Sequence, residues 1–139
     1  MPRGLNTSHD MRTLNDYLLI RHTPGGREFP NLDCWGLVRD YYREILGIDL
    51  PEYTDFSGGT MAGGFSREMA RGKFREIETP EDNAVIGLFC HGRLYHVGIY
   101  LNGRILHTSE KRGCRYERLP ACNISNRRFY RYTPGENMG

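Results

Sequence analysis

Apolar residues along this chain change their period once. In the N-terminal half they recur at helical spacing. Met11, Leu14 and Leu18 mark a first amphipathic helix over about residues 10–20, broken by Thr23-Pro24-Gly25-Gly26. Leu37, Val38, Tyr41, Tyr42, Ile45 and Leu46 then share one face at a 3.6-residue period, the strongest helical signal in the sequence. Asp33 is a suitable N-cap for that helix and Gly47 a suitable stop. Gly58-Gly59 and Gly63-Gly64 predict a surface loop over 54–64, followed by a short helix at 66–71. From Ala84 onward the texture becomes β-rich, with segments at 84–90, 94–101, 104–108, 114–119 and 127–132. Helices first and strands afterwards is the pattern of an α+β domain, N-terminal helices packed on an antiparallel β-sheet. One domain over 1–132 is expected, with 133–139 a loose tail.

The strand pattern also fixes a register. Asn102-Gly103 between two β segments signals a two-residue type I′ hairpin, in which Leu101 faces Arg104. Gly98 is then opposite His107 and His96 opposite Ser109, so His96 and His107 are diagonal neighbours on one face, roughly 7–8 Å apart at the backbone. Val97, Ile99, Leu101 and Leu106 occupy the other face as a core set. Gly98, between the two histidines, removes bulk from their face.

That pairing gives chemical meaning to a cysteine elsewhere. With Asp33 as the cap, Cys34 occupies the first turn of the long helix, where unpaired amides and the helix dipole favour negative charge. The expectation is a lowered thiol pKa and a nucleophile, with the same amides available to an oxyanion. A cysteine at a helix start and two histidines on one sheet face make up the nucleophile, base and orienting group of acyl transfer. His22, just ahead of Gly25-Gly26, is placed to reach the same cleft, whereas His9 and His91 read as surface groups.

Composition narrows the field. A chain of 139 residues with 38% hydrophobic and 26% charged residues has the balance of a folded globular protein. No apolar run approaches the ~20 residues of a membrane span, and Met1-Pro2-Arg3-Gly4-Leu5-Asn6 lacks a signal-peptide core, so delivery by another route is expected. Cys34, Cys90, Cys114 and Cys122 form no Cys-x-x-Cys pair, which argues against a metal site; no metal or cofactor is expected. Cys90 ends an apolar run and reads as buried, while Cys114 and Cys122 are a possible pair in an oxidising compartment. Net charge is +2, too modest for a nucleic-acid partner, although Lys111, Arg112, Arg115, Arg118, Arg127, Arg128 and Arg131 face only Glu117 over that stretch.

With these residues in view the chain resembles the NlpC/P60 cysteine peptidases, papain-like murein hydrolases. Asp33-Cys34-Trp35-Gly36-Leu37-Val38, Gly47-Ile48-Asp49-Leu50-Pro51, His96-Val97-Gly98-Ile99-Tyr100 and Ile105-Leu106-His107 follow the family's order and spacing. The Trp after the nucleophile is similar to the branch found in tail proteins of tailed phages. The resemblance implies Cys34 as nucleophile, His96 as general base and His107 as the residue orienting it, with no metal. His22, Asp33, Trp35 and Ser109 are the substrate-side candidates. It further implies peptidoglycan as partner and cleavage of its stem peptides, usually between γ-D-glutamate and diaminopimelate. One departure stands out. Where the family carries a Tyr-x-Trp-Gly-Gly-like stretch, alignment on Gly25-Gly26 puts His22 and Pro24.

The expected function is thus a phage tail-associated murein endopeptidase acting in the bacterial periplasm, housed in the virion tail or in the host cytoplasm before assembly. The alternative is a tail-tip structural or assembly protein that keeps the fold and docks on other tail proteins. A cysteine acyltransferase or amidase is a third reading of the same chemistry.

Overall fold

A computed structural model of the chain describes residues 12–52, 63–119 and 126–133. The order of elements is α1 (Leu14–Tyr17), β1 (Arg21–His22), β2 (Arg27–Glu28), β3 (Asn31–Leu32), α2 (Cys34–Leu46), α3 (Gly63–Ala70), β4 (Phe74–Ile77), β5 (Val85–Cys90), β6 (Arg93–Leu101), β7 (Arg104–Ser109), β8 (Gly113–Arg118) and β9 (Arg127–Tyr132). The fold is α+β. A six-stranded antiparallel sheet runs β4-β9-β5-β6-β7-β8, and a small sheet β1-β3-β2 leads the chain into α2.

The long helix forms where its period and its caps agree. Asp33 Oδ1 accepts the Gly36 N–H at 2.8 Å, and Gly47 ends the helix at φ 72°, in the left-handed region that glycine adopts freely. Leu37, Val38, Tyr41 and Tyr42 form one buried face, packed with Val85, Val97, Ile99, Leu106 and Tyr130 of the sheet. Phe65 of α3 closes this core against Phe74 and Tyr130, with ring centroids 5.0 Å apart in both pairs. The reverse side of the sheet holds a second cluster of Ile86, Leu88, Ile105 and Phe129.

The expected β6–β7 hairpin is present in its expected register, Leu101↔Arg104 and Ile99↔Leu106, with Asn102 and Gly103 at φ 53° and 80°. The second turn, at His91-Gly92, has the same positive-φ pair. It puts Cys90 at the tip of β5 opposite Arg93, so this thiol is exposed, not buried as its apolar run suggested.

Other expectations shift. The first helix is one turn, Leu14–Tyr17, closed at its start by a Thr13–Asp16 capping box. Its exit tightens through the bonds Leu19 N–H to Asp16 O and Ile20 N–H to Tyr17 O, after which the chain enters β1. Residues 10 and 11 of the expected helix, the loop over 54–62, Cys122 and the tail from 134 lie outside the described residues. Among the described residues no helix is long and apolar enough to cross a membrane.

Candidate active site

Cys34 is the first residue of α2, and its neighbours fix it there. Asp33 is fully buried: beyond capping Gly36, its Oδ2 accepts the Gly25 N–H at 3.0 Å, and Arg27 Nη1 donates to its Oδ1 at 2.7 Å. The loop bearing His22 is thereby tied to the first turn of the helix. Gly36 allows the crossing, since a Cβ there would lie 2.4 Å from the Gly26 carbonyl oxygen.

The same geometry buries two of the substrate-side candidates. Asp33 has both oxygens engaged inside the protein, and Trp35 is fully buried with its indole N–H donating to the Pro51 carbonyl at 3.1 Å. Both build the platform under the nucleophile. A large ring after the cysteine fits here because α3 offers Phe65, its centroid 6.5 Å away, to cover it.

The thiol itself is 2% exposed. Burial pushes it up to about 12 and the charge of Asp33 adds to this, while hydrogen bonds from the Val97 and Trp35 amides, and Arg27, oppose without prevailing. The resting group is therefore a neutral thiol, in place of the thiolate expected from the helix dipole. The Val97 amide is an informative contact, because it belongs to the residue after His96 and brings the first turn of α2 against β6.

His96 continues into a chain of side chains. Its Nε2 is 2.8 Å from His107 Nδ1, the rings edge to face with centroids 5.0 Å apart. Burial first, then the neighbouring His107 and His22, lower His96 to about 3, so it is a neutral imidazole at ordinary pH. Gly98 lies between: a Cβ on it would come within 2.8 Å of the Leu106 carbonyl oxygen and 2.9 Å of His107 Cβ. Tyr95 stacks beside His96 at 6.3 Å and stands half exposed at the rim.

His22 is brought to this centre. Its Nδ1 is 3.2 Å from the buried Thr108 hydroxyl, and burial lowers its pKa against the opposing charges of Asp33 and Glu110. Ser109 is at the β7–β8 turn, where its Oγ accepts the Arg112 N–H at 3.4 Å. One residue escaped the sequence reading. Glu117 Oε2 is 2.7 Å from His107 Nε2. Had the turn before Gly113 been used to set the β7–β8 register, Ile105↔Glu117 would have put Glu117 diagonal to His107. Among the described residues no three His, Cys, Asp or Glu side chains form a metal site.

The NlpC/P60 family profile matches residues 21–131, which spans β1 to β9 and every residue of this centre. The chain belongs to the NlpC/P60 family. Members of the family are cysteine peptidases and related hydrolases acting on peptidoglycan. A solved structure described as the NlpC/p60 domain of peptidoglycan hydrolase SagA superposes with a TM-score of 0.54 at 18% identity, covering 86% of this chain and 92% of that one. At that identity the likeness is one of fold. Among curated proteins none matches.

Proposed function

We propose that this NlpC/P60 chain is a cysteine peptidase that cleaves peptidoglycan stem peptides, at the bond between γ-D-glutamate and diaminopimelate, as a tail-associated enzyme of a tailed phage acting in the periplasm during wall penetration. The observation that carries the peptidase reading is the thiol of Cys34 against the Val97 amide, with the hydrogen-bonded His96–His107 pair on the same strand and its neighbour. The phage assignment rests on the Trp35 branch resemblance.

In this mechanism the neutral imidazole of His96 takes the thiol proton as Sγ attacks the scissile carbonyl. The oxyanion forms beside the amides of the α2 first turn. Collapse expels the amine, which takes the proton back from His96 and leaves a thioester on Cys34. Water then attacks with His96 again as base, releasing the carboxylate and the free thiol. His22 stands where the family carries a Tyr and is assigned a substrate contact. Incubation of the protein with purified peptidoglycan or a defined stem peptide, followed by mass spectrometry, tests this. New fragments from wild type and none from Cys34→Ala are expected; no fragments from wild type, or equal fragments from both, refutes it.

Burial of Cys34 favours a second reading, a tail-tip assembly protein that keeps the fold. Phage carrying Cys34→Ala distinguish the two: normal tails with impaired wall cleavage support the enzyme, and failed assembly after charge reversal at Arg127 and Arg128 supports docking.

A further inference from the structure

The side chains at the centre extend past the pair to which sequence pointed. His96 on β6, His107 on β7 and Glu117 on β8 occupy diagonal positions on adjacent strands, linked by contacts of 2.8 and 2.7 Å. Glu117 is held in turn by Arg112, with Nη2 3.0 Å from Oε1 and Nη1 3.5 Å from Oε2, and by Arg115, with Nε 3.3 Å from Oε1. Burial works against the charge of Glu117, but the hydrogen bond from His107 and the two arginines outweigh it and hold the carboxyl below its usual range.

A carboxylate has only acceptors. We infer that Glu117 is a positioning residue that sets the tautomer of both histidines, so that His96 presents an unprotonated Nδ1 for the thiol proton. The proton order follows link by link. Glu117 Oε2 accepts, so His107 Nε2 carries hydrogen. In neutral His107, Nδ1 is then bare and accepts, so His96 Nε2 is the donor. Neutral His96 has its single proton there, which leaves Nδ1 as the only basic nitrogen. Without a fixed acceptor at the far end, either imidazole is free to reverse, and a reversed His96 has N–H where the base is needed.

The inference rests on the peptidase reading for its consequence but not for its test. In Glu117→Gln, Arg112 and Arg115 keep donating to the Oε1 position, so the amide oxygen stays there and the NH2 faces His107 Nε2. Both tautomers then invert. In full-length protein labelled with ¹⁵N-histidine at neutral pH, long-range ¹H–¹⁵N spectra should find His96 and His107 as Nε2–H in wild type and as Nδ1–H in Glu117→Gln. Glu117→Ala should give a mixture of tautomers. Peptidoglycan cleavage by Glu117→Gln should fall roughly 100-fold or more in kcat with KM little changed, the pattern of a mis-set catalytic histidine. Unchanged tautomers in Glu117→Gln, a doubly protonated His107 in wild type, or Nδ1–H on His96 in wild type would overturn the inference. If wild type cleaves no peptidoglycan, the peptidase reading fails and the spectra still decide the relay.

Discussion

Asp33→Ala removes three interactions at once from the start of α2. The Gly36 amide loses its cap, the Gly25 amide loses its acceptor, and Arg27 loses a carboxylate partner in a site where the two side chains are 6% and 0% exposed. Loss of an N-cap costs about 0.5–2 kcal/mol. Removing one partner of a buried ion pair costs about 3–5 kcal/mol, because the remaining charge stays desolvated. The terms overlap, since a single carboxylate serves both roles, so the expected loss is about 4 kcal/mol, or about 10–15 °C in Tm for a domain of this size. Urea denaturation of wild type, Asp33→Ala, Arg27→Met and the double variant measures it. The double variant should be less destabilised than the sum of the singles by about 2 kcal/mol or more, and Asp33→Asn, which keeps the oxygen for Gly36, should lose less than Asp33→Ala. A loss below about 1 kcal/mol for Asp33→Ala, or strict additivity in the cycle, would refute the argument that this pair anchors the nucleophile's helix.

Other outcomes follow from the same structure. His96 protonates near 3 when folded and near 6.5 when unfolded, so the unfolded chain binds the extra proton first and stability falls as pH drops through that window. His96→Asn should therefore lose about 3 kcal/mol less than wild type between pH 7 and pH 4; equal losses in parallel urea titrations would contradict this. Iodoacetamide at neutral pH should label exposed Cys90 before buried, neutral Cys34, and peptide mapping that finds Cys34 modified first would show the thiolate already formed. Gly98→Ala should lose about 2 kcal/mol by forcing β6 from β7 at the Leu106 carbonyl, and an unchanged Tm would remove the steric reason for glycine there.

Legibility in the sequence followed the strength of local rules. Asn102-Gly103 demands positive φ at both positions, and with the turn fixed the period of two put His96 and His107 on one face, whereas Leu101, expected in the core, is half-buried and outside both core clusters. The β7–β8 turn gave a weaker signal because Glu110-Lys111-Arg112 carries no turn-forming pair ahead of Gly113, and with that register went Glu117. Strand β4, Phe74-Arg75-Glu76-Ile77, has two charged residues at its centre and is strand only because β9 pairs with it at the sheet edge. The two-residue strands β1 to β3 are too short to leave a period at all; the Asp33 and Arg27 contacts hold that segment, and such partners show only in three dimensions.

The thiol marks where a local rule met its limit. A helix start favours negative charge by about 1 kcal/mol, whereas complete burial disfavours it by several, and only packing reveals which applies. Here packing wins, because Asp33, Cys34, Trp35 and Gly36 at the start of α2 are all buried. For the proposed peptidase this reverses the part played by the helix amides. The Trp35 amide favours the thiolate without overcoming burial, so in the proposed reaction the amides act chiefly once the sulfur has passed its proton to His96 and the carbonyl oxygen has become an oxyanion. An interaction absent from the ground state and present in the transition state lowers the barrier, whereas one made equally in both does not. The thiol at the start of α2 meets the amide of Val97, the residue after His96, and the proposed reaction depends on the proton order that Glu117 imposes from two strands away.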